Sequence, residues 1–104
     1  MKIFSGNSNI QFAKKVCNHL NTHLANININ RFADGEITVV IKESIRHEDC
    51  FIIQPTCRNL INNMSVNDSF MELLIIIDAL KRGSAKTVNI IMPYYGYQRQ
   101  DRKD

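Results

Sequence analysis

The sequence predicts an α/β layered fold with a largely parallel sheet and a small antiparallel hairpin or flap beside it. Three observations carry this. Short apolar runs rich in β-branched residues alternate with longer segments of helical periodicity. Cys50 to Gln54 is a short apolar strand, and Thr87 to Met92 reads as a buried one. An Asp34-Gly35 dipeptide between two β-prone segments signals a tight turn.

The elements follow in order. Lys2 to Ser5 reads as a strand, broken by Gly6-Asn7. Ser8 stands three residues before Gln11, a capping-box spacing that opens a helix. Ala13, Val16, Cys17, Leu20 and Leu24 continue it as one apolar stripe. The stripe fades in the Asn-rich stretch Asn26 to Asn30, where Ile27, Ile29 and Arg31 to Phe32 allow a short extended segment. Glu36 to Ile41 is β-branched and reads as the strand after the turn. Cys50 to Gln54 is the next strand, ended by Pro55, and the polar stretch Thr56 to Asp68 reads as a loop. Ser69 precedes Glu72 at capping-box spacing, so a well-buried helix is expected over Phe70 to Lys81, stopped by Gly83. Thr87 to Met92 is the last strand, stopped by Pro93.

Composition narrows the class. The 104 residues are 44% hydrophobic and 22% charged, which fits one small globular domain rather than a disordered segment. The net charge of +3 suits an anionic small ligand and falls short of a dedicated nucleic-acid binder. Cys17, Cys50 and Cys57 are odd in number and form no CxxC pair, so neither a disulfide framework nor a zinc site is expected, and a reducing compartment is. The start MKIFSGNSN has no apolar signal region, and the longest apolar run, Leu73 to Ile77, is too short to span a bilayer. The expected location is cytoplasmic, with no membrane partner.

Three clusters could carry chemistry. Arg99, Arg102 and Lys103 follow a core strand, and in open α/β sheets ligands bind beyond the carboxyl ends of the strands. Their cations suit phosphate, Asp101 and Asp104 could hold a metal or orient the cations, and Gly96 permits a sharp turn. A solvated, internally paired charge run is the plainer reading. In Arg31-Phe32-Ala33-Asp34-Gly35-Glu36, an aromatic ring beside two carboxylates could hold a purine; on pattern alone a hairpin turn with Phe32 in the core is the plainer reading. Ser44 and Arg46, with Ser84 elsewhere, could bind an anion. His19 and His23 are four apart on the first helix, a metal-binding spacing, but no third ligand stands nearby, so no metal site is assigned to them. There is no GxxxxGK[ST], GxGxxG or GxSxG. Residues and pattern alone end at an α/β domain suited to a phosphorylated ligand.

The same residues resemble a family. Pro93-Tyr94-Tyr95-Gly96-Tyr97-Gln98-Arg99-Gln100-Asp101-Arg102-Lys103 looks like the ATP-binding segment of ribose-phosphate pyrophosphokinases, and Arg31 to Glu36 resembles their flag-like loop. Phe4-Ser5-Gly6-Asn7, Glu43-Ser44-Ile45-Arg46, Met71-Glu72-Leu73-Leu74 and Asp78-Ala79-Leu80-Lys81-Arg82 match in the right order, so the resemblance covers the whole chain. It departs at Ala33, where a serine or another small polar residue is common, at Gln98, where alanine is usual, and in a longer Cys57 to Asp68 loop.

The resemblance implies a three-layer, phosphoribosyltransferase-like sheet with helices on both faces. It implies that residues 1–104 are the N-terminal domain, truncated at its C-terminal end, of an enzyme moving the pyrophosphoryl group of ATP to ribose 5-phosphate. Arg99 and Gln100 would contact ATP, with Asp101 and Asp104 in the same nucleotide segment. Phe32, Asp34 and Glu36 would hold the adenine from a neighbouring subunit, making a homo-oligomer (dimers assembling to a hexamer) part of function. Ser44, Arg46, Ser84 and Lys103 match a regulatory site for phosphate or ADP. Magnesium would accompany ATP. The metal-binding histidine, the catalytic loop and the pentose-phosphate loop of the family have no counterpart here, so no catalytic residue is assigned and the isolated chain is expected to be inactive. A non-catalytic regulatory relative that assembles with an active enzyme, or a relic of a split gene, are the alternatives.

Overall fold

The computed structural model describes residues 1–55 and 65–92. The elements run β1 (Lys2–Ser5), α1 (Ile10–His19), β2 (Ile27–Arg31), β3 (Ile37–Ile41), β4 (Asp49–Ile53), α2 (Val66–Arg82) and β5 (Thr87–Ile91). Strands β1, β4 and β5 form a parallel sheet in that order, with Lys2 opposite Cys50 and Cys50 opposite Val88. Strands β2 and β3 form a separate antiparallel hairpin, with Ile29 opposite Val39 and Arg31 opposite Ile37.

Strand alternation divides the core. Ile3 and Ile53 face α1, where they meet Ala13 and Cys17. Phe4, Cys50 and Ile52 face the other way and pack on Leu73, Ile76 and Leu80 of α2. The helices therefore cover opposite faces, giving three layers as expected, but β5, expected as a buried strand, is at the edge of the described sheet and mostly exposed. The hairpin adds a further wall: Ile27, Ile29, Val39 and Ile41 pack against the α2 cluster, while their neighbours Asn28, Asn30 and Val40 point outward and are exposed. Burial of the Cys17 and Cys50 thiols, on opposite faces of the sheet, pushes both upward in pKa.

The helix starts differ from the sequence expectation. The first helix is capped by Asn9, whose side chain accepts from the Phe12 amide at 3.0 Å, not by Ser8. Ser8 is buried, and its amide and hydroxyl are taken by Gln54 and Pro55. The same helix ends at His19, where the Leu20 amide bonds back to Val16 and Cys17, so His23 is not on it. The second helix begins at Val66, with Ser65 and Asp68 forming a reciprocal capping box. Ser69 and Glu72 lie inside it, and residues 66–68, expected as loop, are helical. A box one turn earlier in the chain, with aspartate in the acidic position, competed successfully with the Ser69/Glu72 pair. Gly83 ends α2 as expected.

Candidate functional site at the carboxyl edge of the sheet

Helix α2 fixes the hairpin's direction. Its first turns carry Asp68 and Glu72, which meet Arg31 at the end of β2; its C-terminal Gly83 packs on Ile45, beyond β3. The hairpin tip thus lies by the carboxyl ends of β1 and β4, and its base lies by their amino ends. Five-residue strands separate the two by roughly 16 Å.

The tip is a held loop. The Phe32 amide donates to Glu36 O at 2.8 Å and the Gly35 amide to Phe32 O at 2.9 Å. Asp34 Oδ1 accepts from the Glu36 amide at 3.1 Å, an Asx turn. Gly35 sits at φ +90, a conformation L side chains rarely adopt. Phe32 is 50% exposed, which overturns the alternative of a core phenylalanine. Asp34 and Glu36 are exposed beside it.

Beneath the tip is a buried polar cluster. Glu72 is fully buried. Its Oε1 accepts from the Asn7 amide and from Gln54 Nε2 at 3.0 Å; its Oε2 accepts from Asn7 Nδ2 and the Arg31 guanidinium, each at 3.3 Å. Gln54, also fully buried, donates to Ser69 O at 3.3 Å, and its Oε1 accepts from the Ser8 amide at 3.2 Å. The cluster thereby ties β1, β4, α2 and the hairpin together. Gly6 is required here because a Cβ would fall onto the Gln54 side-chain amide. Sequence reasoning missed Glu72, reading it as a cap. The available signal was its place on the stripe Ser69, Glu72, Leu73, Ile76, Leu80, which puts a carboxylate among core positions.

Ser44 and Arg46 lie on a segment that meets the Ser84 turn at the amino edge. Ile45 is buried, Ser44 and Arg46 flank it exposed, and the His47 amide donates to Ser84 O at 3.0 Å. His47 and Ser84 hold positive φ of 62 and 65. Arg99, Gln100, Asp101, Lys103 and Asp104 lie outside the described residues, as does Cys57. Among the described residues no group of three His, Cys, Asp or Glu is placed to hold a metal, and no helix is long and apolar enough to cross a membrane.

A parallel sheet between two helices, with a projecting hairpin tip at its carboxyl edge, defines a three-layer α/β domain, in which ligands commonly sit beyond the carboxyl ends of the strands. Comparison with known proteins makes the assignment specific. Residues 1–104 match the family model for the N-terminal domain of ribose phosphate pyrophosphokinase, and the chain belongs to that family. It is 56% identical to a ribose-phosphate pyrophosphokinase of Thermosipho africanus and 53% identical to one of Thermotoga maritima, each over 99% of this chain and 31% of the relative. A phosphoribosylpyrophosphate synthetase from Mycobacterium smegmatis superimposes with a TM-score of 0.83 at 39% identity, over 98% of this chain and 32% of that one. The chain thus spans about a third of the length of the relatives it matches.

Proposed function

We propose that this chain is the N-terminal domain of a ribose-phosphate pyrophosphokinase and supplies the adenine-holding part of its ATP site. The observation that carries this reading is the exposed Phe32 with Asp34 and Glu36 on a hydrogen-bonded loop at the carboxyl edge of the sheet. An exposed ring offers a stacking face, and carboxylates accept from a base amine or ribose hydroxyls. The relatives' names support ATP and ribose 5-phosphate as the substrates of the complete enzyme. In that enzyme the anomeric hydroxyl of ribose 5-phosphate attacks the β-phosphorus of ATP and AMP leaves, making phosphoribosyl pyrophosphate for nucleotide biosynthesis.

In this reading the loop works across a subunit contact of a homo-oligomer, opposite a neighbour's Arg99, Gln100, Asp101 and Asp104. Magnesium enters with ATP and neutralises phosphate charge. Ser44, Arg46 and Ser84, with Lys103, form a regulatory anion site for phosphate or ADP. The backbone bond between His47 and Ser84, which brings the two segments together, supports that grouping. The location is cytoplasmic. By itself the chain is inactive in pyrophosphoryl transfer.

Two measurements test this. AMP release from ATP in the presence of ribose 5-phosphate should be at background for the purified chain; robust turnover would overturn the assignment of a partial site. Calorimetric titration with magnesium-ATP should show binding that Phe32→Ala weakens about tenfold, since base–aromatic stacking is worth roughly 1–3 kcal/mol. Equal binding by both would remove Phe32 from the site.

A further inference from the structure

The buried cluster has one arm that reaches out of the core. Strand alternation puts Arg31 on the same hairpin face as Ile27 and Ile29, turned toward α2. Its guanidinium bridges two carboxylates one turn apart on that helix, Asp68 at 3.7 Å and Glu72 at 3.3 Å. The two carboxylates are themselves fixed. Glu72 is fully buried and held by Asn7 and Gln54. Asp68 closes the capping box with Ser65. Arg31 is thus gripped on the core side, and the next residue along the chain is Phe32. Its amide closes the tip loop onto Glu36.

We propose that Arg31 is the positioning residue of the tip loop: through its bridge to Glu72 and Asp68 it sets the direction in which Phe32, Asp34 and Glu36 project. The geometry favours this over a plain surface ion pair. Elsewhere the hairpin meets the α2 cluster through apolar contacts of Ile27, Ile29, Val39 and Ile41, which are non-directional. The Arg31 contact is directional, and it lies at the end where the loop departs. A planar, forked guanidinium can engage both carboxylates at once, which a lysine ammonium on a flexible stem cannot do with the same geometry. The functional weight of this role rests on the adenine-holding reading of the loop; the anchoring itself does not.

The test is amide hydrogen exchange on the chain, read residue by residue by NMR, for the unmodified protein, Arg31→Met and Arg31→Lys. The Phe32 and Gly35 amides report the tip, and the Lys42 amide, bonded to Asn26 O at the hairpin base, reports the rest of the hairpin. Arg31→Met should lower tip protection about tenfold while Lys42 is unchanged, and Arg31→Lys should recover part of the loss. Glu72→Gln, which keeps the shape and removes the charge, should reproduce the tip-specific loss. Unchanged tip protection in Arg31→Met, or an equal fall at the tip and at Lys42, would overturn the proposal. Magnesium-ATP titration of the same variants separates the two readings. Loss of tip protection with unchanged ATP affinity would leave the anchor standing and remove the loop from the nucleotide site. Loss of both supports the two together.

Discussion

Gly6→Ala should be among the most damaging single-methyl changes in the protein, for a reason unrelated to backbone conformation. A Cβ at this position falls onto the carboxamide of Gln54. Gln54 is fully buried, so it cannot swing into solvent. Moving it breaks the bonds to Ser69 O and Glu72 and strips Ser8 of an acceptor. Each buried polar group left unsatisfied costs about 1–3 kcal/mol. The alanine recovers about 0.4–1 kcal/mol by restricting the unfolded chain. A net loss of about 3 kcal/mol follows, which for a domain of this size lowers Tm by roughly 12–24 °C. The assay is urea or thermal unfolding followed by circular dichroism, in two backgrounds. Gln54→Ala is destabilising on its own, but it removes the group that Gly6→Ala strikes. In that background the glycine change should cost less than about 1 kcal/mol, the departure from additivity expected of residues in contact. An equal cost in both backgrounds would refute the reasoning, because the damage would then lie in the backbone or elsewhere.

Other expectations concern capping, charge and the exposed tip. Ser65→Ala removes the N-cap of α2 and should cost about 1 kcal/mol in unfolding experiments. The Lys2 ammonium and the Asn26 amide hold the Glu43 carboxyl below its ordinary 4.5, and the Glu43 carboxylate in turn holds Lys2 above 10.5. Glu43 is depressed on folding, so its contribution is present above pH 4.5 and is lost as pH falls through the folded value. Lys2 is raised, so its contribution is present below pH 10.5 and is lost as pH rises through its folded value. Lys2→Met should therefore flatten stability–pH profiles on both flanks, with part of the acid flank remaining through Asn26. Phe32→Ala, at a half-exposed position, should change unfolding free energy by no more than about 0.5 kcal/mol, so that any loss of nucleotide binding is not a folding defect.

Much of the fold could be read from the sequence because its strands are short, apolar and punctuated. The run Ile52-Ile53 before Pro55 and the Asp34-Gly35 turn left little freedom in placing β4 and the hairpin. Helix starts were harder, since Ser8 and Asn9 both satisfy capping chemistry and only the burial of Ser8 against Gln54 decides between them. The same ambiguity hid Glu72, where one spacing fits both a cap and a core stripe. The candidate site was legible as a set of residues, but not as a place. Whether Phe32 pointed into the core or out of it depended on Arg31 and α2, residues far apart in the chain. That the segment carrying Ser44 and Arg46 lies beside the end of α2 likewise comes from the tertiary packing of Ile45 on Gly83 and the His47–Ser84 backbone bond.

The most direct test of the central claim is an amide-shift titration of the chain with magnesium-ATP. The account predicts perturbations concentrated at Phe32 to Glu36 and at Arg99 to Asp104, growing with protein concentration as copies associate, and moved at the tip to about tenfold higher nucleotide concentration by Phe32→Ala. Perturbations confined to the Ser44, Arg46 and Ser84 corner, with the tip silent, would contradict it.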